Sequence, residues 1–297
     1  MNTVQVAAIT GLMAVSVFSS RVDGQRGMFS AGDAYERFMG RWSRELAPVF
    51  VRFAGVRDGD AVLDVGAGTG ALTNAIALAA PSSRIVGIDA AEAYVAFAQR
   101  RHGGDRIQFE VADAQQLRFG DGTFDRTLSL LVLNFIPDPA RALDEMMRVT
   151  RPGGAVAAAV WDYGEGMEML RLFWDEAVAL NPAADARDER HMPLSRRGEL
   201  AALWRKHGLQ NVSEEALTIQ TRFSSFDDYW TPFLEKQGPA GDYVAGLPAG
   251  DRERLRLGLR RRVLGTGPDR AITLHGRVWA VRGSVPQRDF VRQRGPS

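Results

Sequence analysis

Residues 62–70 read Val62-Leu63-Asp64-Val65-Gly66-Ala67-Gly68-Thr69-Gly70. The apolar Ala61-Val62-Leu63 run reads as a strand, the three alternating glycines as a tight turn, and Ala71 to Ile76 as the start of a helix. Strand, glycine turn and helix is the arrangement by which an α/β sheet brings bare backbone up to a nucleotide-like ligand. Gly66, Gly68 and Gly70 permit the turn and remove side chains that would block close approach.

Outward from this stretch, strands and helices alternate. Apolar runs near 61–66, 84–89, 107–112, 124–132 and 155–161 read as strands. Helices fall between them near 70–80, 91–101 and 139–150, the last opened by Asp138 as N-cap and Pro139 in the first turn. Such alternation predicts a doubly wound parallel sheet covered on both faces, with ligands beyond the carboxyl ends of the strands. Asp64, Asp89, Asp113 and Leu133-Asn134-Phe135 all lie at such ends, so one cleft can hold them.

The spacing G-x-G-x-G, with Asp64 two places before the first glycine, departs from the dinucleotide pattern G-x-G-x-x-G. It resembles motif I of the class I S-adenosylmethionine-dependent methyltransferases. The downstream order agrees: Arg84 to Asp89, Ile107 to Asp113, Phe124-Asp125 through Leu133, and Glu145, Arg148-Val149 and Arg151-Pro152-Gly153-Gly154. The resemblance spans roughly residues 35–162 and is looser afterwards. It implies a mostly parallel seven-stranded sheet, the Rossmann-like methyltransferase fold, with a helical cap. It also implies S-adenosyl-L-methionine as cofactor. Asp64 would lie near the methionine portion or merely brace the turn. Asp89 would hold the ribose hydroxyls, since a carboxylate accepts from both. Asp113 would meet the adenine. Ala67, Ala90, Ala112, Ala114, Leu131 and Tyr35 complete the implied cofactor set, with Asn134 or Phe135 on the reacting side.

Leu133-Asn134-Phe135-Ile136-Pro137-Asp138 stands where amino-group methylases of adenine or glutamine carry an Asn-Pro-Pro-Tyr type tetrapeptide. It is closer to the small-molecule branch, which includes quinone-ring C-methyltransferases. The chain has no cysteine, which excludes disulfides, thiolate metal sites and the covalent cysteine route to 5-methylcytosine. No H-x-x-x-H pair or carboxylate group has metal-ligand spacing. A nicotinamide-dependent oxidoreductase and a non-catalytic cofactor-binding protein are the rival readings.

The chain has 297 residues, 45% hydrophobic and 25% charged, enough for a full α/β core with an insertion or cap. A net charge of +1 makes no general case for nucleic acid or membrane partners. From Asp251 onward roughly 12 arginines stand against about four acids, with Arg260-Arg261-Arg262 the densest spot. That is a solvated face, or contact with an anionic partner such as RNA.

Residues 1–27 read as an N-terminal extension whose apolar stretch, residues 6–18, is short for a bilayer span. Residues 28–284 read as the methyltransferase domain, with cap insertions about 164–210 and 225–265, and 285–297 as a disordered tail. A cytoplasmic location is expected. The aromatics between Tyr35 and Phe53 suggest an amphipathic helix pair, with Tyr35 and Trp42 facing either cofactor or core. Val212 to Phe223 and Ala271 to Val281 read as closing strands around a helical stretch broken at residues 238–241. Trp161 and Asp162 end the fifth strand and should face the cleft; Trp230 sits among cap aromatics that suit a planar acceptor. His191, on a cap loop, is the candidate general base.

Overall fold

The computed structural model describes residues 35–287. The N-terminal extension and all but three residues of the expected tail lie outside the described residues. Seven strands form one sheet: β1 (Ala61–Val65), β2 (Arg84–Asp89), β3 (Ile107–Val111), β4 (Phe124–Leu130), β5 (Thr150–Trp161), β6 (Gln210–Phe223) and β7 (Ile272–Ser284). Their order is β3-β2-β1-β4-β5-β7-β6, with β7 antiparallel to both its neighbours and the other pairings parallel. The expected seven-stranded, mostly parallel architecture is therefore present. Strand order reverses between β1 and β4, so a crevice opens beyond their carboxyl ends.

Central strands must be apolar on both faces because helices cover both. In β1, Val62, Leu63, Asp64 and Val65 are all buried. Helix α1 (Arg41–Ala54) buries Trp42, Leu46, Phe50 and Phe53, spaced four, four and three, which is one helical face. Helices α2 (Ala71–Ala79), α3 (Glu92–His102) and α4 (Pro139–Val149) complete the crossovers. Asp138 caps α4 by accepting from the Arg141 amide at 3.0 Å, with Pro139 in the first turn.

Several boundaries differ from expectation. No helix pair spans the described part of 31–54. A π-helical turn, Glu36–Gly40, runs directly into α1, because Gly40 and Arg41 both keep right-handed helical angles. The Arg151-Pro152-Gly153-Gly154 segment is not a simple turn. It is taken into β5 as an irregularity opposite Phe124–Arg126, with Gly153 at φ +74°. The start of the expected tail is also ordered: Val285 exchanges backbone hydrogen bonds with Gly153 and Gly154, each 2.9 Å.

The cap comprises α5 (Glu168–Leu180), short 3₁₀ turns Pro182–Arg187 and Glu189–His191, α6 (Glu199–Lys206), α7 (Phe226–Trp230), α8 (Gly238–Ala245) and α9 (Ala249–Leu264). The expected break at 238–241 is instead the first turn of α8. The chain reverses one step earlier, at Lys236, whose φ is +56°. Phe173, Tyr229, Phe233 and Tyr243 pack together within the cap, the Phe173 and Phe233 rings stacking at 4.6 Å between centroids, and Tyr229 joins them to Phe223 of β6 at 5.3 Å.

Candidate active site

The glycine turn follows β1 and is held by β2. Gly66 and Ala67 both donate their amides to the Ile88 carbonyl at 2.8 Å. Gly68 donates to Asp89 Oδ2 at 2.9 Å, and the Ala91 amide donates to Asp89 Oδ1 at 2.9 Å. Each carboxylate oxygen keeps a lone pair for a further donor such as a hydroxyl. Burial pushes the Asp89 carboxyl above its ordinary range, and the amide donors oppose that shift.

The three glycines serve different ends. A Cβ on Gly66 would stand 2.5 Å from the Val132 methyls, and one on Gly70 would stand 2.7 Å from the His102 ring. Those two are required by packing inside the protein. Gly68, at φ +53°, has nothing within 4 Å of its Cβ position. Its open face is where a ligand can approach the backbone.

Asp64 is fully buried beneath the turn. Thr73 donates its hydroxyl to Asp64 Oδ2 at 2.7 Å, while Oδ1 has no partner. Burial pushes the Asp64 carboxyl up to about 7, against the pull of the Thr73 donor. Asp113 lies exposed at the end of β3 and accepts from the Gln115 amide at 2.8 Å. Ala112 donates its amide to the Asp89 carbonyl at 3.0 Å, which draws the β3 end toward the β2 end. Leu131 holds φ +66° just past β4, a costly angle for a branched side chain and a frequent mark of functional strand ends. Ala90 and Ala114 flank Asp89 and Asp113 and are partly exposed.

The N-terminal helical segment closes one side. Tyr35 approaches Ser43 Oγ at 3.4 Å, and its ring lies 5.6 Å from that of Tyr94. Burial raises the Tyr94 phenol to about 12, with Tyr35 and the Asp89 charge adding to the shift. Tyr35 is raised by burial and, more weakly, by Asp89. Both tyrosines therefore stand within electrostatic reach of the expected ribose site.

On the β4 side, Asn134 is buried in the 3₁₀ turn Leu133–Phe135, and neither of its amide atoms closes a hydrogen bond. Phe135 is 46% exposed. Sequence reasoning missed two further groups. Tyr163, two residues past β5, is 5% exposed and lies against Asn134. Burial pushes its phenol well up; Glu189 and Tyr35 also act on it. Glu189 is likewise 5% exposed and accepts from Trp174 Nε1 at 2.6 Å. Burial pushes its carboxyl up to about 7. Tyr163 was within reach of the strand-end argument that selected Trp161 and Asp162. Nothing local marks Glu189, which is one of several charges in Asp188-Glu189-Arg190-His191.

The remaining expected residues lie elsewhere. Trp161 is buried against Gly276, so it packs β5 onto β7. Asp162 is bound to Arg277, with Nε–Oδ2 at 2.8 Å and Nη2–Oδ2 at 2.5 Å. Trp230 is buried with its ring 6.1 Å from Phe233. His191 is half exposed and faces Asp185 at 3.2 Å, away from the buried side of its own turn. A cavity of about 400 Å³ beside the cap is lined by Glu168, Arg171, Arg262 and Arg270, but by none of the strand-end residues. Among the described residues no group of three His, Asp or Glu side chains is arranged to hold a metal, and no helix is long and apolar enough to cross a membrane.

Comparison with known proteins agrees with this geometry. Residues 63–158 match a family model described as a methyltransferase domain. An uncharacterized protein of Mycobacterium tuberculosis is 28% identical over 239 residues, covering 78% of this chain and 86% of the relative. The demethylmenaquinone methyltransferase of Clavibacter sepedonicus is 39% identical over 115 residues, covering 38% of this chain and 43% of that protein. Among solved structures, phosphoethanolamine N-methyltransferase 2 of Haemonchus contortus, in complex with S-adenosyl-L-methionine, superposes with a TM-score of 0.54 at 20% identity. That match covers 92% of this chain and 61% of the other.

Proposed function

We propose that the chain is a class I S-adenosylmethionine-dependent methyltransferase that methylates a small planar acceptor held between the strand ends and the cap. The observation that carries this reading is the Gly68–Asp89 link beside the open face of Gly68, at the point where strand order reverses. The residues fit the cofactor: Asp89 has lone pairs for two hydroxyls, Asp64 has an unpartnered buried oxygen, and Asp113 is exposed at the adjoining strand end. When bound, the sulfonium supplies an electrophilic methyl group.

The protein's own residues align and enclose. Asp89 holds the ribose diol and keeps the glycine turn in register through Gly68. Asp113 meets the adenine, with Ala112 and Ala114 beside it. Tyr35 and Tyr94 cover the ribose side and exclude water, which strengthens the polar contacts beneath them. Asn134 and Phe135 line the acceptor side. Alignment of acceptor and methyl in a dry site is the main catalytic task of such a transfer.

The similarity to demethylmenaquinone methyltransferase and to the ubiquinone/menaquinone C-methyltransferase of Bdellovibrio bacteriovorus supports a ring-shaped acceptor. Calorimetric titration with S-adenosylmethionine, S-adenosylhomocysteine and NADH tests the cofactor. Micromolar binding of both adenosyl ligands, lost in Asp89→Ala, supports the reading. Binding of NADH alone overturns it.

A further inference from the structure

The cavity of about 400 Å³ beside the cap is of the size that holds small organic ligands. Three elements bring one arginine each to its wall: Arg171 from α5, Arg262 from the last turn of α9 and Arg270 from the loop that enters β7. The same elements add apolar surface through Leu172, Val263, Ile272 and Leu274. Glu168 is the acidic residue of the lining, and its Oε2 is taken by the His275 amide at 2.7 Å.

The arginines hold unused donors. A guanidinium carries five N–H groups. Arg171 is 8% exposed, donates Nη2 to Asp188 Oδ1 at 2.5 Å, and leaves its buried Nε without a partner. A buried donor is nearly always satisfied, so this one calls for an acceptor that the protein alone does not provide. Arg262 contacts Glu176 Oε2 through Nε and Nη2, each at 2.9 Å, which leaves Nη1. The Arg270 guanidinium makes no hydrogen bond or ion pair among the described residues.

We propose that this cavity is a second ligand site, separate from the strand-end cleft, and that it takes a small monocarboxylate with an apolar body. Two carboxylate oxygens match the forked guanidinium donors, and the apolar body covers the leucine, valine and isoleucine side chains. Charge balance selects a single negative charge. Asp188 and Glu176 already offset Arg171 and Arg262, and Glu168 stands against Arg270, so the wall is rich in donors but carries little excess positive charge. A phosphate dianion needs more. None of the strand-end residues lines the cavity, so the site does not depend on methyl transfer.

The test is calorimetric titration of the full chain with benzoate, with benzamide as its neutral counterpart and inorganic phosphate as the rival anion. Wild type should bind benzoate at least about tenfold more tightly than either, the size of a charge-assisted hydrogen bond. Arg270→Gln removes an exposed charge that braces nothing else, and it should weaken benzoate about tenfold. Thr273→Trp places an indole on an exposed lining position of β7 and should abolish binding. Asp89→Ala should bind benzoate like wild type, which puts the ligand outside the strand-end cleft. No benzoate binding by wild type up to about 10 mM, equal binding of benzamide or phosphate, unchanged affinity in either cavity variant, or loss in Asp89→Ala overturns the proposal. S-adenosylhomocysteine titrated into the same proteins reports on the methyltransferase reading separately: its failure to bind wild type sinks that reading and leaves the benzoate result standing.

Discussion

Thr69, between the last two glycines of the turn, donates its hydroxyl to Glu36 Oε1 at 2.5 Å. Glu36 also pairs with Arg44, one turn into α1. The glycine turn is thus tied to the segment that carries Tyr35. The π-helical widening at Glu36–Gly40 falls at this contact, as such irregularities often do at functional positions. Glu36→Ala should weaken S-adenosylmethionine binding by about tenfold, the size of one charge-assisted hydrogen bond. Calorimetry checks this, and unchanged affinity would sink the idea that the segment orders the turn.

Gly66 and Gly68 should respond differently to alanine. At Gly66 the new methyl meets Val132 at 2.5 Å in a left-handed conformation. Gly66→Ala should therefore cost about 3 kcal/mol of stability from strain and overpacking together. Gly68→Ala meets no protein atom within 4 Å. It should cost only about 1 kcal/mol while markedly reducing cofactor affinity. Urea unfolding and ligand titration of the two variants separate a packing glycine from a ligand-facing one.

Asp64 predicts a pH dependence of stability. Its folded pKa, about 7, lies above the ordinary 3.8. Between those values the native state binds more protons than the unfolded chain, so this group makes stability fall as pH rises through the window. Glu189 acts in the same direction between 4.5 and about 7. Asp64→Asn should unfold at higher urea than wild type at pH 8, by a few kcal/mol at most, and show no gain near pH 4. If wild type and variant keep the same difference at both pH values, the buried-acid account fails.

His191 and Trp230 should separate exposed from core positions. His191→Ala should change stability by less than about 0.5 kcal/mol, because its ring is half exposed and its one partner, Asp185, is also exposed. Trp230→Ala should cost about 3–5 kcal/mol, as expected for a buried aromatic. Thermal melts decide both. A large loss in His191→Ala would show that the Asp185 contact matters more than its exposure implies.

The strand-end side of the candidate site was legible in the chain because its geometry is local. A parallel strand followed by glycines and a helix places Asp64, Gly68 and Asp89 within a few residues of strand ends, and hydrophobic period alone locates those ends. The helix at residues 36–54 and the start of β5 were harder, since a π turn and an irregular strand pairing break the simple period. The acceptor side was not legible. Trp161 and Asp162 sit at a strand end, yet β7 claims both, one through Gly276 and one through Arg277.

The amino-acid sequence by itself determined the parallel sheet, the glycine turn and the acids at the ends of β1, β2 and β3. Only the tertiary structure decided that Glu189 turns inward to Trp174 while His191 turns out to Asp185. The reason is that strand-end placement follows from backbone period, whereas burial of one charge in a cap turn depends on elements far apart in the chain that pack against it.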